Sequence, residues 1–288
     1  MADELKAAPN YNTPVPSTIT TPDTVETRIG TLEFYDGLPS PETSRKVFDN
    51  LDFLRGVEVF LNGIPMTSLE ALRAGHETLG IATKKKMLIA EQLLDSDPLF
   101  LTGNTDTVYA LAFFDLNKDG PIVVEVPKGS GPGTVNDAFF RFVVDMGAPG
   151  PDKGMGGKYL ILPPEYEGPL QAPIGGKEQD VEVNGSTEKM FVTRSPSYVN
   201  WLILRGFLVD GKPDAAAAMF RNGLKIYPLA EAANPPAMKF LNGSKQSFNT
   251  VHANNFEFYH ELAHVIAREP IGFIDPELRG LFASIGIE

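Results

Sequence analysis

Seven short apolar runs in the middle of the chain constrain its fold more than any other feature. They lie between about Met87 and Phe207, are rich in β-branched and aromatic residues, and are separated by Gly, Pro, Asn and Asp. Such runs are typical of β-strands joined by turns, and this many of them predict an antiparallel sandwich. The runs are MLIAEQLL, TVYALAFFDL, PIVVEVP, FFRFVVDM, KYLILPP, EKMFVTR and YVNWLILRGF.

Helical patterns flank this β-rich centre. On the N-terminal side, a short strand is predicted at Leu32–Tyr35. Ser40 and Pro41 then predict the N-cap and the first residue of a helix that ends near Asn62–Gly63.

A second helix is predicted to begin at Thr67. Thr67 and Glu70 have the spacing of a capping box, and the helix is expected to end near Gly75. The sequence is therefore predicted to form an α+β fold, with the helices at one side or end of the sandwich. Further helices are predicted from Asp214, from about Asn254 to Arg268, and from Asp275.

Four segments describe the predicted domain organisation. Residues 1–30 are rich in Pro and Thr and are expected to form an extended or mobile arm. Residues 31–80 contain the N-terminal strand and helices, residues 81–208 the β-sandwich, and residues 209–288 a C-terminal helical region.

Composition excludes several classes of protein. The net charge of −12 argues against a nucleic-acid partner, because little would neutralise phosphates. Cysteine is absent, which excludes disulfides and cysteine-ligated metals. No apolar run approaches membrane-spanning length, and the start MADELKAAPN lacks the apolar core of a signal peptide. A mature exported protein can begin in this way, so a periplasmic and a cytoplasmic location both stay open. The sequence also leaves open that the protein is a homo-oligomer.

The segment HELAH at residues 260–264 spells the HExxH pattern of zinc peptidases. Two histidines four residues apart share one helix face, and the intervening Glu261 could activate a metal-bound water. Steps of 100° per residue place His260 and His264 opposite an apolar stripe that must face the core. The stripe consists of Phe258, Leu262, Val265 and Ile266.

A third zinc ligand is missing from the local pattern. His252 would stand about 12 Å from His260 along a continuous helix, which is too far to share a metal. Glu269 rotates off the histidine face. The sequence therefore predicts no metal cofactor, and zinc on His260 and His264 is kept as the alternative.

Polar residues stand out at two places in the β-rich centre. Asn104, Asp106 and Thr107 directly precede a strongly apolar strand, where they either cap the turn or project from the strand end as a site. Arg205 interrupts the run WLILRGF and is predicted to pair with a carboxylate or to line a pocket. Its candidate partners are Asp106 and Asp145.

A series of motifs in a fixed order carries a family resemblance. They are GNTDTVYALAFFDL, GPIVVEVP, NDAFFRFVVDMG, GPDKGMGGKYLILPPEYEG, LRGF, KIYPL and FNTVHANNFEF. Together they resemble the bacterial family called domain of unknown function 1254, over roughly Thr31 to Glu288. The resemblance implies an immunoglobulin-like β-sandwich with an associated helical domain. It also implies a C-terminal jelly-roll partner, domain of unknown function 1214, whose linker is expected to begin near the end of this chain.

The resemblance implies no reaction, and HExxH is not part of the family pattern. The polar signature of the family falls on the Asn104–Tyr109 strand end and on the loop GPDKGMGGKY. The candidate ligand-binding residues are Asn104, Asp106, Thr107, Tyr109, Asp145 and Arg205.

Three functions remain open from the sequence. The leading hypothesis is a non-catalytic ligand-binding or assembly module that normally partners a jelly roll. One alternative is a zinc-dependent hydrolase that uses Glu261 as general base. The other is a small-molecule enzyme with a pocket near Asn104–Tyr109 and Arg205.

Overall fold

The computed structural model describes residues 14–81 and 85–288, so the first part of the predicted N-terminal arm lies outside the described residues. The chain divides into two compact units. One ends at Glu58 and the other begins at Val59.

The first unit contains a small antiparallel sheet. Its strands β1 (Thr24–Thr27), β2 (Gly30–Tyr35) and β3 (Leu38–Pro39) pair in that order, and β2 contains the predicted N-terminal strand. The side-chain oxygen of Ser40 accepts a hydrogen bond of 3.1 Å from the backbone N–H three residues later. This contact confirms the predicted N-cap, because it satisfies one of the free donors of the first helical turn.

One continuous helix, α1 (Pro41–Thr78), replaces the two helices predicted from the sequence, so that prediction is wrong. Pro65 lies inside the helix. Thr67 does not begin a new helix, because its hydroxyl donates to the carbonyl oxygens of Gly63 and Ile64 at 3.3 and 3.1 Å. Hydrogen bonds of this kind are typical of Thr in a helix interior.

The second unit contains the remaining elements. Its further helices are α2 (Leu116–Asp119), α3 (Asp214–Gly223), α4 (Glu257–Arg268) and α5 (Pro276–Ala283). Its strands are β4 (Lys86–Ile89), β5 (Thr107–Asp115), β6 (Ile122–Val126), β7 (Pro132–Asn136), β8 (Phe142–Gly147), β9 (Gly157–Leu162), β10 (Lys177–Val183), β11 (Ser186–Arg194), β12 (Val199–Phe207), β13 (Lys225–Pro228) and β14 (Lys239–Asn242).

Two sheets are built from these strands. One has the order β10-β11-β9-β6-β13 and the other has the order β14-β4-β5-β12-β7-β8. Most neighbours are antiparallel, but β9 pairs with β11 and β4 with β14 in parallel. In the second sheet, β12 pairs with β5 along its whole length, from Val199 opposite Asp115 to Phe207 opposite Thr107.

The packing arranges these elements in layers. A buried cluster formed by side chains of both sheets lies between them, and it includes Val124 of β6 and Leu204 of β12. The other face of the sheet that contains β12 carries Trp201 and packs against α1, α4 and α5. A smaller cluster, which includes Leu160 of β9, covers the outer face of the other sheet.

The α+β fold predicted from the sequence is thus confirmed in its coarse form. Each of the seven apolar runs overlaps a strand, and α3, α4 and α5 lie where helices were predicted. Strands β7, β10, β13 and β14 were not predicted, because they are short or carry few apolar residues. No helix among the described residues is long and apolar enough to cross a membrane.

An ion-pair network joins the helical layer to β12. The carboxylate of Glu70 accepts hydrogen bonds from Arg73 at 2.7 Å and from Arg268 at 2.9 Å. Burial alone would raise the pKa of Glu70, but the two guanidinium groups outweigh it and hold the pKa below its ordinary value. Arg268 also contacts Glu269, which accepts the backbone N–H of Tyr198 at 2.5 Å and that of Val199, the first residue of β12, at 3.3 Å.

His76, near the end of α1, is a buried histidine in an apolar environment. Its Nδ1 lies 2.7 Å from the carbonyl oxygen of Leu72, and its ring packs edge-on against Phe113 and Phe248. Burial disfavours the charged form and lowers the pKa of His76 from 6.5 to about 4, despite this hydrogen bond.

We expect His76 to make the protein less stable in mild acid. The folded pKa lies below the unfolded one, so stability is lost as pH falls from 6.5 towards about 4 and the loss then levels off. The full loss should be about 3 kcal/mol of unfolding free energy. Urea unfolding across this range should show a flatter pH dependence for His76→Leu than for the wild type. Identical pH dependence in both proteins would contradict the assignment.

Candidate functional site

The end of strand β12 brings several predicted residues to one face of the sheet. Arg205 stands directly opposite Tyr109 of β5, and Ile203 stands directly opposite Thr134 of β7. Thr134 is in turn opposite Asp145 of β8. Paired residues on neighbouring strands point to the same side, and so do residues two apart on one strand. Arg205 and Asp145 therefore share the face that carries the helices.

A cavity of about 220 Å³ lies at this point, and Arg205 and Asp145 both line it. The backbone beside Arg205 is compact because Gly147 of β8 has φ +73° and approaches Gly131 closely. A Cβ atom at Gly147 would stand 2.1 Å from the Gly131 carbonyl oxygen. The lining residues are Pro132, Gly133, Thr134, Asp145, Pro149, Ile203 and Arg205.

Arg205 has unsatisfied hydrogen-bonding capacity. Its guanidinium carbon lies 5.5 Å from the centre of the Tyr109 ring, within cation–π range. Its Nε is buried and has no hydrogen-bond partner in the part of the chain that the structure describes. Of the two predicted alternatives, Arg205 thus lines a pocket, and among the described residues no ion pair joins it to Asp106 or Asp145.

The Asn104 turn positions Tyr109 beneath Arg205. The side-chain oxygen of Asn104 accepts hydrogen bonds from the backbone N–H groups of Asp106 and Thr107 and from the Thr107 hydroxyl, at 3.2, 3.1 and 2.8 Å. The backbone N–H of Asn104 donates to the Tyr109 hydroxyl at 3.1 Å. Asn104 therefore supports the site through a turn of the Asx type. The Asp106 residue is exposed to solvent.

The glycine-rich loop GPDKGMGGKY is organised by a buried carboxylate. Asp152 accepts the backbone N–H groups of Gly147 and Gly156, at 2.8 and 3.1 Å, and the hydroxyl of Tyr159. Burial and the Asp152 charge raise the pKa of Tyr159, so its hydroxyl stays protonated as a donor. Asp152 thus holds the backbone near Pro149, and Pro149 lines the cavity.

The HELAH helix, α4, presents both histidines to solvent. Phe258, Leu262, Val265 and Ile266 are buried, as the helical periodicity predicted. His260 and His264 are exposed, and the His260 ring stacks edge-on against Phe256 at 5.5 Å.

Glu261 forms a hydrogen bond with the backbone in this structure. Its carboxylate accepts the N–H of Ala253 at 3.1 Å, and burial raises its pKa. Within residues 14–81 and 85–288, no group of three or more His, Asp or Glu side chains could hold a metal ion.

Residues 86–228 match the sequence model of the family described as protein of unknown function (DUF1254). The resemblance to DUF1254 is therefore confirmed for this segment, which is shorter than the expected span from Thr31 to Glu288. The matched segment begins with β4 and ends with β13, so it contains Arg205, Asp145 and the Asn104 turn. The HELAH helix lies outside the DUF1254 segment.

A comparison with solved structures finds a similar fold in a bacterial protein. The VPA0106 protein from Vibrio parahaemolyticus is similar to this chain with a TM-score of 0.50 and 15% sequence identity. The similarity covers 81% of this chain and 52% of that protein, so the chain spans about half of its length. A search of curated proteins gives no match.

Five of the seven cavity residues were not predicted from the sequence, namely Pro132, Gly133, Thr134, Pro149 and Ile203. Ile203 lies on the same strand as Arg205, Thr134 pairs with Ile203 from β7, and Pro149 lies in the loop after β8. Ile203 was recognisable only as a strand residue two positions from Arg205. Thr134 lies in PGTVN, which lacks the apolar alternation of a strand.

Zinc binding offers a direct test of the HELAH segment. We expect wild type and a His260→Ala/His264→Ala double variant to hold the same amount of zinc after dialysis, measured by elemental analysis. The exposed imidazoles bring no third ligand from the described residues, and zinc sites in proteins need at least three protein ligands. One zinc per wild-type chain that disappears in the double variant would support the hydrolase alternative instead.

Proposed function

We propose that this chain is a non-catalytic binding module that takes a small organic anion at the Arg205 cavity. The observation that carries this proposal is Arg205, which lines the cavity without a carboxylate partner among the described residues and whose buried Nε has no acceptor there. An unsatisfied buried donor on a charged group is destabilising by about 1–3 kcal/mol or more. An anion in the cavity offsets this cost if it pairs with the terminal nitrogen atoms of the guanidinium, because the Nε itself has no accessible surface.

The cation–π contact supports the same proposal. Tyr109 is buried, and its hydroxyl is held by the Asn104 backbone, so the ring under the guanidinium is fixed in place. A guanidinium that already rests on a rigid ring loses little conformational entropy when it binds an anion. A carboxylate is a suitable partner, because guanidinium groups bind carboxylates through paired, charge-assisted hydrogen bonds.

The size of the cavity supports a small ligand. Sites for drug-sized molecules usually enclose about 300–1,000 Å³, whereas this cavity has about 220 Å³. Its lining offers one cation, one carboxylate and the Thr134 hydroxyl. These groups can orient a ligand, but the set contains no hydrogen-bonded nucleophile and base of the kind that covalent catalysis uses. Binding is therefore the better-supported role, and the small-molecule enzyme remains the alternative.

The wider architecture is also part of the proposal. The shared core between the two sheets supports a sandwich, and the DUF1254 resemblance supports an immunoglobulin-like arrangement of it. The same resemblance supports a jelly-roll domain as the usual partner of this module, so an assembly role beside that partner is compatible with ligand binding.

Replacement of Arg205 tests the binding proposal. We expect acetate and propionate to raise the melting temperature of the wild type, and Arg205→Met to weaken their binding by at least about tenfold, because a hydrogen-bonded charge is lost. Arg45→Met, at an exposed position in the first unit, is the matched control and should bind like the wild type. Circular dichroism verifies that both variants are folded.

Two outcomes would contradict the proposal. One is that none of the small anions, including inorganic phosphate, shifts the melting temperature of the wild type. The other is that Arg205→Met binds them as well as Arg45→Met does.

A further inference from the structure

Asp145 adds a negative charge to the lining of the cavity that contains the proposed anion site. Arg205 and Asp145 line one cavity, yet they carry opposite charges and do not form an ion pair. The strand ladders explain the separation. Asp145 lies two strands away from β12 and is level with Ile203, two residues before Arg205. In a regular sheet this places the Cα atoms of Asp145 and Arg205 about 12 Å apart.

Tyr109 keeps the two charges apart. It lies on β5, whereas Asp145 lies on β8, so the two residues are on opposite sides of β12. The ring contact of 5.5 Å therefore draws the guanidinium away from Asp145. Arg205 and Asp145 therefore bring opposite charges to the lining of one cavity from two different strands.

Thr134 lies between the two charged residues. It is directly opposite both Ile203 and Asp145, and its hydroxyl bonds within the described residues are long, at 3.3 and 3.4 Å, to two strand carbonyls. A ligand in the cavity could therefore use this hydroxyl as a third polar contact.

We propose that the ligand is a small α-amino acid, bound as a zwitterion between Arg205 and Asp145. This inference rests on the proposed function, since it needs the anion site at Arg205. The carboxylate of the ligand binds the guanidinium, and its ammonium group donates to Asp145 and lies near Thr134. Opposite charges at the two ends of a cavity select a ligand with the complementary pair of charges.

The charge of the lining also disfavours phosphate. The charged side chains among the lining residues are one arginine and one aspartate, so their formal charges cancel. A phosphate brings more negative charge than a carboxylate and would lie in the same small space as Asp145, where like charges repel. A zwitterion leaves both half-buried protein charges compensated, which partial burial favours.

A set of small molecules of similar size tests the proposal by isothermal titration calorimetry. The probes are alanine, lactate, propionate and alaninamide. We expect wild type to bind alanine at least about tenfold more tightly than propionate, which lacks the ammonium group, and than alaninamide, which lacks the carboxylate. Lactate should lie between alanine and propionate, because its hydroxyl donates to Asp145 without a full charge.

The isosteric variant Asp145→Asn separates the two ends of the site. It should lose at least about tenfold in affinity for alanine while it retains or improves the binding of propionate. Asp180→Asn, an exposed position on β10, is the matched control and should bind all four probes like the wild type. Arg205→Met should weaken alanine and propionate together.

The outcomes distinguish this inference from the function on which it rests. Equal affinity for alanine and propionate, or an Asp145→Asn variant that weakens both equally, would overturn the amino-acid assignment and leave the anion site intact. Tighter binding of lactate than of alanine would also overturn it. If no acid binds and Arg205→Met changes nothing, the proposed function itself fails.

Discussion

The antiparallel ladder between β5 and β12 is the constraint on which the rest of the second unit depends. Both strands lie inside the larger sheet, and both faces of that sheet are covered. Each residue of the ladder must therefore suit one of two cores. Leu202 and Leu204 face the other sheet, whereas Trp201 and Ile203 face the helices. A shift of one residue would exchange these sets, so the packing fixes the register.

The same register explains why a charged residue is tolerated at the end of β12. Arg205 continues the helix-facing series of Trp201 and Ile203, but it lies where a cavity, and not a helix, adjoins the sheet. Tyr109 occupies the opposing position on β5 and gives the guanidinium an aromatic surface. The β5–β12 ladder that builds the core thus also positions the Arg205 guanidinium beside the cavity.

Sequence patterns predicted those features that depend on residues near one another in the chain. The seven apolar runs and the buried face of α4 were recognisable because side-chain periodicity reports burial directly. Arg205 was recognisable because a charge interrupts an apolar run. Strand β7 was not, because PGTVN contains one strongly apolar residue and becomes a strand through its ladder with β12. The break in α1 was predicted wrongly because Glu70 has the spacing of a cap but binds Arg268, which is distant in the sequence.

The position of Trp201 has a practical consequence. The chain contains a single tryptophan, and its indole is buried on β12 with Phe100 and Phe140 at its edges. Intrinsic emission excited at the red edge of protein absorption therefore comes from one point, at the junction of the central sheet and the helical layer. A change in its wavelength or intensity reports loosening of that junction, so the protein carries a built-in optical probe of the packing on the same sheet face as the Arg205 cavity.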